Sequence, residues 1–276
     1  MINKEVWQQQ WRYIDESSAG LYLPVSHSFA TDDTLCQSVG SGNSSAVVRT
    51  WVHRDTVVLG VQDSRLPYLQ QGIEWLADEG MDAFVRTSGG LAVILDEGIW
   101  NASLLFADGD GTLSIDEGYE RMVTLIREMF PETSIHDGEI SDSYCPGRYD
   151  LSINGQKFAG ISQRRIRKGI AVQIYLCVEG SGSERAELVQ QFYDRAGSAK
   201  AKRGVYPAVR PTSMASLQEL VSASLTVHDV SYRLLTTLQA KGASLESGRL
   251  TREEQEEKIS QLSRVEARNQ KLIQKQ

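Results

Sequence analysis

Residues 150–163 contain the feature that most constrains the fold, an Asn-Gly pair between two runs of alternating character. The first run is Asp150 to Ile153; the second follows Asn154-Gly155 and contains Lys157. Both central residues of a type I′ turn need a positive φ, which Asn and Gly adopt readily, so the pair predicts a two-residue β-hairpin. Cys145 precedes the hairpin in a Cys-Pro-Gly turn, where a thiol is often free to react.

Folding the hairpin back on itself can bring Lys157 beside Cys145. A lysine ammonium near a thiol favours the thiolate, which is the nucleophilic form. A structural interpretation stands beside this one, because most intracellular cysteines are small buried residues and most lysines are solvated surface charges. Residue types alone favour the structural interpretation of Cys145.

Composition argues against several classes of protein. The chain has 276 residues, 41% hydrophobic and 24% charged, which is sufficient to bury a core. A formal net charge of −7 argues against a nucleic-acid binder that relies on bulk positive charge. No run has the length of a membrane span and no signal peptide is evident. The 3 cysteines are odd in number and lack metal spacing, which favours a cytoplasmic protein without disulfides or a metal.

Helical and strand patterns alternate along the chain. Residues 1–26 fit either a helix or a strand, and residues 46–52 and 56–61 predict a hairpin whose turn contains His53. Helices are predicted at 27–39, 66–80, 114–130 and 183–197, after the capping residues Ser216, Thr226 and Thr251, and a strand at 170–178. This mixture predicts an α/β (α+β) fold, with a mixed β-sheet flanked by helices.

Two further stretches allow both a functional and a structural interpretation. In 84–95 a strand runs into Ser88-Gly89-Gly90, where paired glycines let a ligand approach closely and Arg86 can bind a carboxylate or phosphate. The alternative is an ordinary glycine-containing hairpin with a surface arginine. The basic turn 164–168 suits either docking of an acidic partner or simple solvation.

Three motifs, in the same order along the chain, resemble the lipoate/biotin protein ligase superfamily. The run 150–163 resembles its lysine motif, the run 86–93 its Arg-x-Ser-Gly-Gly strand and loop, and the run 51–60 a third strand. The resemblance implies that superfamily's catalytic-domain fold, with the motifs in a core of about 45–180. It also implies an acyl-chain site, for which the candidate substrate-binding residues are Arg86, Ser88, Gly89, Gly90, Ala92, Gly160 and Ser162.

The position of Cys145, 12 residues before Lys157, resembles the cysteine-dependent octanoyltransferase branch of that superfamily. The resemblance implies that Cys145 and Lys157 are catalytic and that no cofactor is needed. It implies octanoylated glycine-cleavage H protein as donor and the lipoyl domains of 2-oxoacid dehydrogenase E2 subunits as acceptors, without nucleic acid or membrane. Three alternatives remain: a sister branch that uses octanoyl-acyl carrier protein, an ATP-dependent lipoate ligase, and a non-catalytic lipoyl-domain binder.

We predict one acyltransferase catalytic domain over residues 1–243 and a charged C-terminal helical tail over residues 244–276. The tail has few apolar positions, so we expect a solvated helix that is only partly packed. A coiled-coil or partner-binding helix is the alternative, but its apolar seam is thin.

Overall fold

The structure is a computed structural model that describes residues 6–86, 89–202 and 204–273. Its strands are β1 (Gln10–Glu16), β2 (Ala46–Trp51), β3 (Thr56–Leu59), β4 (Asp82–Val85), β5 (Val93–Leu95), β6 (Ile99–Ala107), β7 (His136–Asp137), β8 (Leu151–Ile153), β9 (Gln156–Ile166), β10 (Gly169–Cys177) and β11 (Ser244–Ser247). Its helices are α1 (Ser26–Gly40), α2 (Leu69–Asp78), α3 (Ile115–Met129), α4 (Gly182–Arg195), α5 (Leu217–Leu220), α6 (Val227–Ala240) and α7 (Arg252–Ile273).

The strands form two sheets. The larger has the order β11-β1-β2-β6-β10-β9-β8-β7, and the smaller has the order β4-β3-β5. In the larger sheet β11, β1 and β2 run parallel, whereas the remaining neighbours pair antiparallel. The predicted mixed sheet flanked by helices is confirmed.

The predicted Asn-Gly hairpin is confirmed as the β8–β9 connection. Asn154 has φ 53° and Gly155 has φ 80°, as a turn with two left-handed central residues requires. Ser152 is the register partner of Lys157 across this hairpin. The hairpin therefore fixes the position of Lys157 within the larger sheet.

The predicted hairpin of residues 46–52 and 56–61 is wrong. Strand β2 lies between β1 and β6 in the larger sheet, whereas β3 lies between β4 and β5 in the smaller one. The turn between them, with Asp55 at φ 39°, redirects the chain from one sheet to the other. Strands β4 and β5 likewise flank β3 instead of pairing, so 84–95 is not an ordinary hairpin. Within the N-terminal segment, for which both a helix and a strand were possible, Gln10–Glu16 form strand β1.

Helices cover both faces of the larger sheet. Helix α1 buries Leu35 and Cys36 against Val47 and Leu105, so Cys36 is a packing residue. On the opposite face, α3 and α6 contribute to a core with β2, β6 and β10. A second core lies between the smaller sheet, α2 and α4, and it contains the buried Cys177.

The capping signals read from the sequence are confirmed. Ser114 and Glu117 form a capping box at α3, and matching boxes begin α5 at Ser216 and α6 at Thr226. Each box satisfies two backbone N–H groups that the first helical turn leaves unpaired. These local rules therefore place the starts of three helices.

Residues 244–273 pack on the rest of the fold. Strand β11 extends the larger sheet beside β1, and α7 packs along α1. Glu254 in the first turn of α7 binds Arg12 at 2.6 Å, and Val265 is buried. The division of the chain at residue 243 stays a prediction. Of the helices in the described ranges, none combines the length and apolar character required to cross a membrane.

Candidate active site

Cys145 is half-buried in the loop of residues 138–150, which connects β7 to β8 and which we call the cysteine loop. Its backbone has φ 46°, a left-handed conformation that costs a non-glycine residue about 1–2 kcal/mol. Lys157 Nζ donates hydrogen bonds to the carbonyl oxygens of Tyr144 at 2.9 Å and Cys145 at 2.8 Å. Two consecutive carbonyl groups are thereby held by one ammonium group, which stabilises the strained turn at the thiol.

The Lys157 ammonium also forms a buried ion pair with Asp150, with Nζ and Oδ1 3.0 Å apart. The other oxygen of Asp150 accepts a hydrogen bond from the Gly147 amide at 3.0 Å. Burial raises the pKa of Asp150, and the neighbouring Lys157 opposes that shift. Asp150 was not predicted as a site residue. Side-chain alternation along the strand was the signal that could have identified it. Asp150 lies two residues before Ser152 and so shares its face, and Ser152 pairs with Lys157.

Two donors converge on the sulfur of Cys145. The backbone N–H of Leu91 lies 3.1 Å from Sγ, and Nη2 of Arg86 lies 3.4 Å from it. The same Nη2 atom donates to the Leu91 carbonyl at 2.8 Å, which orients the guanidinium. The sulfur is therefore faced by one cationic and one backbone hydrogen-bond donor. The sequence suggested Arg86 as a ligand for a substrate anion, but the structure places it against the thiol.

Gly89 to Ala92, which we call the glycine loop, allows this close approach. Gly90 has φ 100°, and a β-carbon there would lie 2.9 Å from Cys145 Sγ and 2.3 Å from Arg86 Nη2. A β-carbon on Gly60 would lie 1.9 Å from the Gly90 carbonyl oxygen. Side chains at either position would therefore displace the loop whose amide reaches the thiol.

A buried carboxyl group supports the glycine loop from behind. The Ala92 amide donates to the Tyr193 hydroxyl at 3.3 Å, and that hydroxyl donates to Asp63 at 3.0 Å. The other oxygen of Asp63 accepts from the Gly60 amide at 2.7 Å. Burial raises the pKa of Asp63 to about 6. Sequence reasoning missed Asp63 and Tyr193, because their 130-residue separation has no local signature.

Beside the thiol lies a cavity of about 410 Å³, within the size range of small-molecule sites. Much of its wall is apolar or aromatic, formed by Phe29, Trp51, Val58, Val93, Leu95 and Ile174. The predicted site residues that line it are Cys145, Lys157, Arg86, Gly89, Gly90, Gly160 and Ser162. Ala92, the last residue of the glycine loop, is fully buried and does not line the cavity, and Ser88 lies outside the described residues.

Two other candidates from the sequence, His53 and the basic turn 164–168, are held by contacts within the fold. His53 is buried and its Nε2 lies 2.8 Å from Ser28 Oγ; burial lowers its pKa to about 4. In the basic turn, Arg164 pairs with Asp33, and Arg165 lies 3.4 Å from Asp108. Both arginines are thus partly neutralised within the chain. Among the described residues, no cluster of three or more His, Cys, Asp or Glu side chains has the arrangement of a metal site.

The chain belongs to the lipoyl protein ligase A/B catalytic domain family, whose sequence model matches residues 24–239. Among curated proteins it is similar to two named octanoyl-[GcvH]:protein N-octanoyltransferase. The one from Anoxybacillus flavithermus is 50% identical, with 99% of each chain covered. The one from Bacillus velezensis is 52% identical, with 96% of this chain and 94% of the relative covered. The family resemblance drawn from the three motifs is confirmed.

Solved structures show the same fold. A lipoate protein ligase from T. acidophilum with bound lipoic acid matches with a TM-score of 0.69 and 15% identity, covering 92% of this chain and 95% of its own. Lipoate-protein ligase A bound with ATP matches with a TM-score of 0.69 and 14% identity, covering 93% and 94%. At these identities the likeness establishes the fold alone.

Proposed function

We propose that the protein is an octanoyltransferase that acts through a thioester on Cys145. The donor is an octanoyl-lysine amide of the glycine-cleavage H protein, and the acceptors are lysines of E2 lipoyl domains, in the cytoplasm. The observation on which the proposal rests is the thiol itself, which faces Arg86 and the Leu91 amide beside a largely apolar cavity. The names of the relatives at 50% and 52% identity support the same reaction.

In the first half-reaction the Cys145 thiolate attacks the octanoyl carbonyl carbon. The C–S bond forms, the C–N bond to the donor lysine breaks, and the departing amine takes a proton. Arg86 and the Leu91 amide donate to the thiolate before the attack. As the sulfur loses its negative charge, both donors turn to the carbonyl oxygen and stabilise the oxyanion that forms there. Lys157 is the proton donor in this proposal, with its ammonium held at the Cys145 carbonyl oxygen.

In the second half-reaction a neutral acceptor lysine attacks the thioester. A new C–N bond forms, the C–S bond breaks, and the proton released by the attacking amine returns to Lys157. Bonds of the same type are broken and made, so the exchange needs no ATP. Such a double displacement gives ping-pong kinetics.

The acyl chain occupies the cavity during both steps. Apolar walls bury the eight-carbon chain, and the glycine loop closes one side near the reacting carbon. Gly89, Gly90, Gly160 and Ser162 are the predicted substrate contacts. Ala92 contributes through the backbone of the glycine loop instead of through a direct contact.

The alternatives make different demands on Cys145. An ATP-dependent ligase activates its acid as an acyl-adenylate and needs no thiol nucleophile, and a non-catalytic binder needs no activated thiol. The donors around Sγ support a reactive cysteine and so count against both. An acyltransferase that uses octanoyl-acyl carrier protein shares the same chemistry and requires a direct test.

Intact-mass spectrometry of the purified protein, without ATP, separates these donors. We expect an octanoyl adduct on Cys145 after mixing with octanoyl-H protein and none with octanoyl-acyl carrier protein. An adduct from the carrier protein alone would transfer the enzyme to the sister branch. Labelling that requires free octanoate and ATP would identify a ligase. Cys145→Ser, treated identically, controls for adducts at other residues.

A further inference from the structure

Helix α7 lies outside residues 24–239, which match the family model, but it contacts strand β4 of the smaller sheet. Its residue Asn269 accepts a hydrogen bond from the backbone N–H of Val85, with N and Oδ1 2.8 Å apart. Val85 ends strand β4, and the next residue is Arg86, whose guanidinium contacts the thiol. One short path therefore connects the C-terminal helix to Cys145.

Strand β4 is an edge strand, so only one of its sides pairs with β3. The Arg86 amide donates to the Leu59 carbonyl at 2.9 Å on that paired side. The Val85 amide points the opposite way, as alternation along a strand requires, and Asn269 supplies its acceptor. Two consecutive peptide groups before Arg86 are thus held on opposite sides of the strand: the one that contains the Val85 N–H by α7, and the one that contains the Arg86 N–H by β3.

The position of α7 is itself fixed along its length. Glu254 pairs with Arg12 at 2.6 Å, and Ile273 O accepts from Gln70 Nε2 at 2.6 Å. Leu272 packs against the core under the smaller sheet. These contacts place Asn269 on a rigid element instead of on a loose tail.

We infer that Asn269 is a positioning residue, through which α7 fixes the end of β4 so that Arg86 lies against the Cys145 thiol. The inference rests on the proposed function for its link to catalysis. Its structural consequence, the reactivity of the thiol, can be measured without any acyl donor. Failure of the inference and failure of the proposed function are therefore distinguishable.

The first test is the alkylation rate of Cys145 by iodoacetamide between pH 6 and 9. We expect Asn269→Leu, which removes the acceptor, to slow alkylation at neutral pH by about fivefold, the effect of one neutral hydrogen bond. Asn269→Asp keeps an acceptor oxygen and should restore most of the rate. Gln270→Leu, the same change at the exposed neighbouring position, is the matched control and should match the unmodified protein. Equal rates for Asn269→Leu and Gln270→Leu would overturn the inference.

A double variant separates positioning from general destabilisation. In an Arg86→Gln background, Asn269→Leu should slow alkylation no further, because both changes act on one contact. A further fivefold loss in that background would overturn the inference. Because the two half-reactions of a double displacement are separate, slower acylation should lower kcat/KM for the octanoyl donor and leave kcat/KM for the acceptor domain unchanged. An unchanged kcat/KM for the donor with a lowered one for the acceptor would contradict a positioning role at the thiol.

Hydrogen exchange of the unmodified protein needs no variant. The Val85 amide should be protected from exchange to the same degree as the paired Arg86 amide. Exchange of Val85 as fast as an exposed loop amide would overturn the inference even if every variant fails to fold. If the unmodified protein accepts no octanoyl group, the proposed function fails, but alkylation and hydrogen exchange still decide the role of Asn269.

Discussion

Nη2 of Arg86 lies 3.4 Å from Sγ of Cys145, although 59 residues separate them in the sequence. In the proposed mechanism this fixed guanidinium stabilises the oxyanion, so we expect Arg86→Gln to slow acylation of Cys145 by about 10²–10³-fold. Arg86→Lys keeps the charge but loses the hydrogen bond to the Leu91 carbonyl, so its acylation rate should lie between those of the unmodified enzyme and Arg86→Gln. Single-turnover acylation measures both, and acylation of Arg86→Gln at the normal rate would refute this role.

A glycine in the glycine loop and one outside the active site make a matched pair of substitutions. A β-carbon at Gly90 would lie 2.9 Å from Sγ, whereas one at Gly109 would have no atom within 4 Å. We expect Gly90→Ala to reduce acylation at least as strongly as Arg86→Gln, and Gly109→Ala to stay within about threefold of the unmodified enzyme. Circular dichroism of both variants is the control for correct folding. Equal loss in the two variants would show that the space at Gly90 does not matter.

The buried pair of Lys157 and Asp150 separates stability from catalysis. Removing one partner leaves an uncompensated buried charge, so Lys157→Met and Asp150→Asn should each reduce the free energy of unfolding by about 3–5 kcal/mol. The double variant Lys157→Met/Asp150→Leu should regain part of that loss, because an apolar pair replaces an ion pair. Transfer should remain absent in it. Denaturant unfolding and single-turnover assays test this, and active double variants would remove Lys157 from the chemistry.

Asp63 predicts a specific dependence of stability on pH. Its pKa in the folded protein is raised to about 6 from 3.8, so the folded state binds a proton more tightly than the unfolded state does. The stabilisation from protonated Asp63 is complete below pH 3.8 and is lost as the pH rises through about 6. Its size is on the order of 3 kcal/mol. Asp63→Asn should remove that component.

The test compares the slope of the unfolding free energy between pH 4 and 6 in the two proteins. Burial lowers the pKa of His53 to about 4, which gives a slope of opposite sign, so the difference between the proteins is informative and the absolute slope is not. Identical slopes in the unmodified protein and in Asp63→Asn would contradict the raised pKa.

Local chemistry was sufficient to predict several elements. The Asn154-Gly155 turn follows from the φ angles that its two residues tolerate, and the capping box at Ser114 follows from side-chain reach. Those rules depend on residues within three or four positions of one another. The motifs around Lys157 and Gly90 added the family, because three weak patterns in order have a joint specificity that none has alone.

Pairing between segments that are distant in the sequence could not be predicted from such local rules. The strands on either side of His53 have hairpin-like composition, but β2 pairs within the larger sheet and β3 within the smaller one. Each pairs with strands more than 20 residues away along the chain. The contact of Arg86 with Cys145 and that of Asn269 with Val85 also depend on how sheets and helices pack. The sequence motifs were sufficient to propose Cys145 and Lys157 as a catalytic pair, whereas the groups that surround the sulfur could be identified only from the fold.

The most direct test of the account is a chase of the isolated acyl-enzyme. The octanoyl group is loaded from octanoyl-H protein, the enzyme is separated from its donor, and an unmodified lipoyl domain is added without ATP. We predict that the octanoyl group leaves Cys145 and appears on the domain lysine at least as fast as steady-state turnover. An adduct that persists while turnover continues, or transfer by Cys145→Ala at the normal rate, would contradict a thioester intermediate on Cys145.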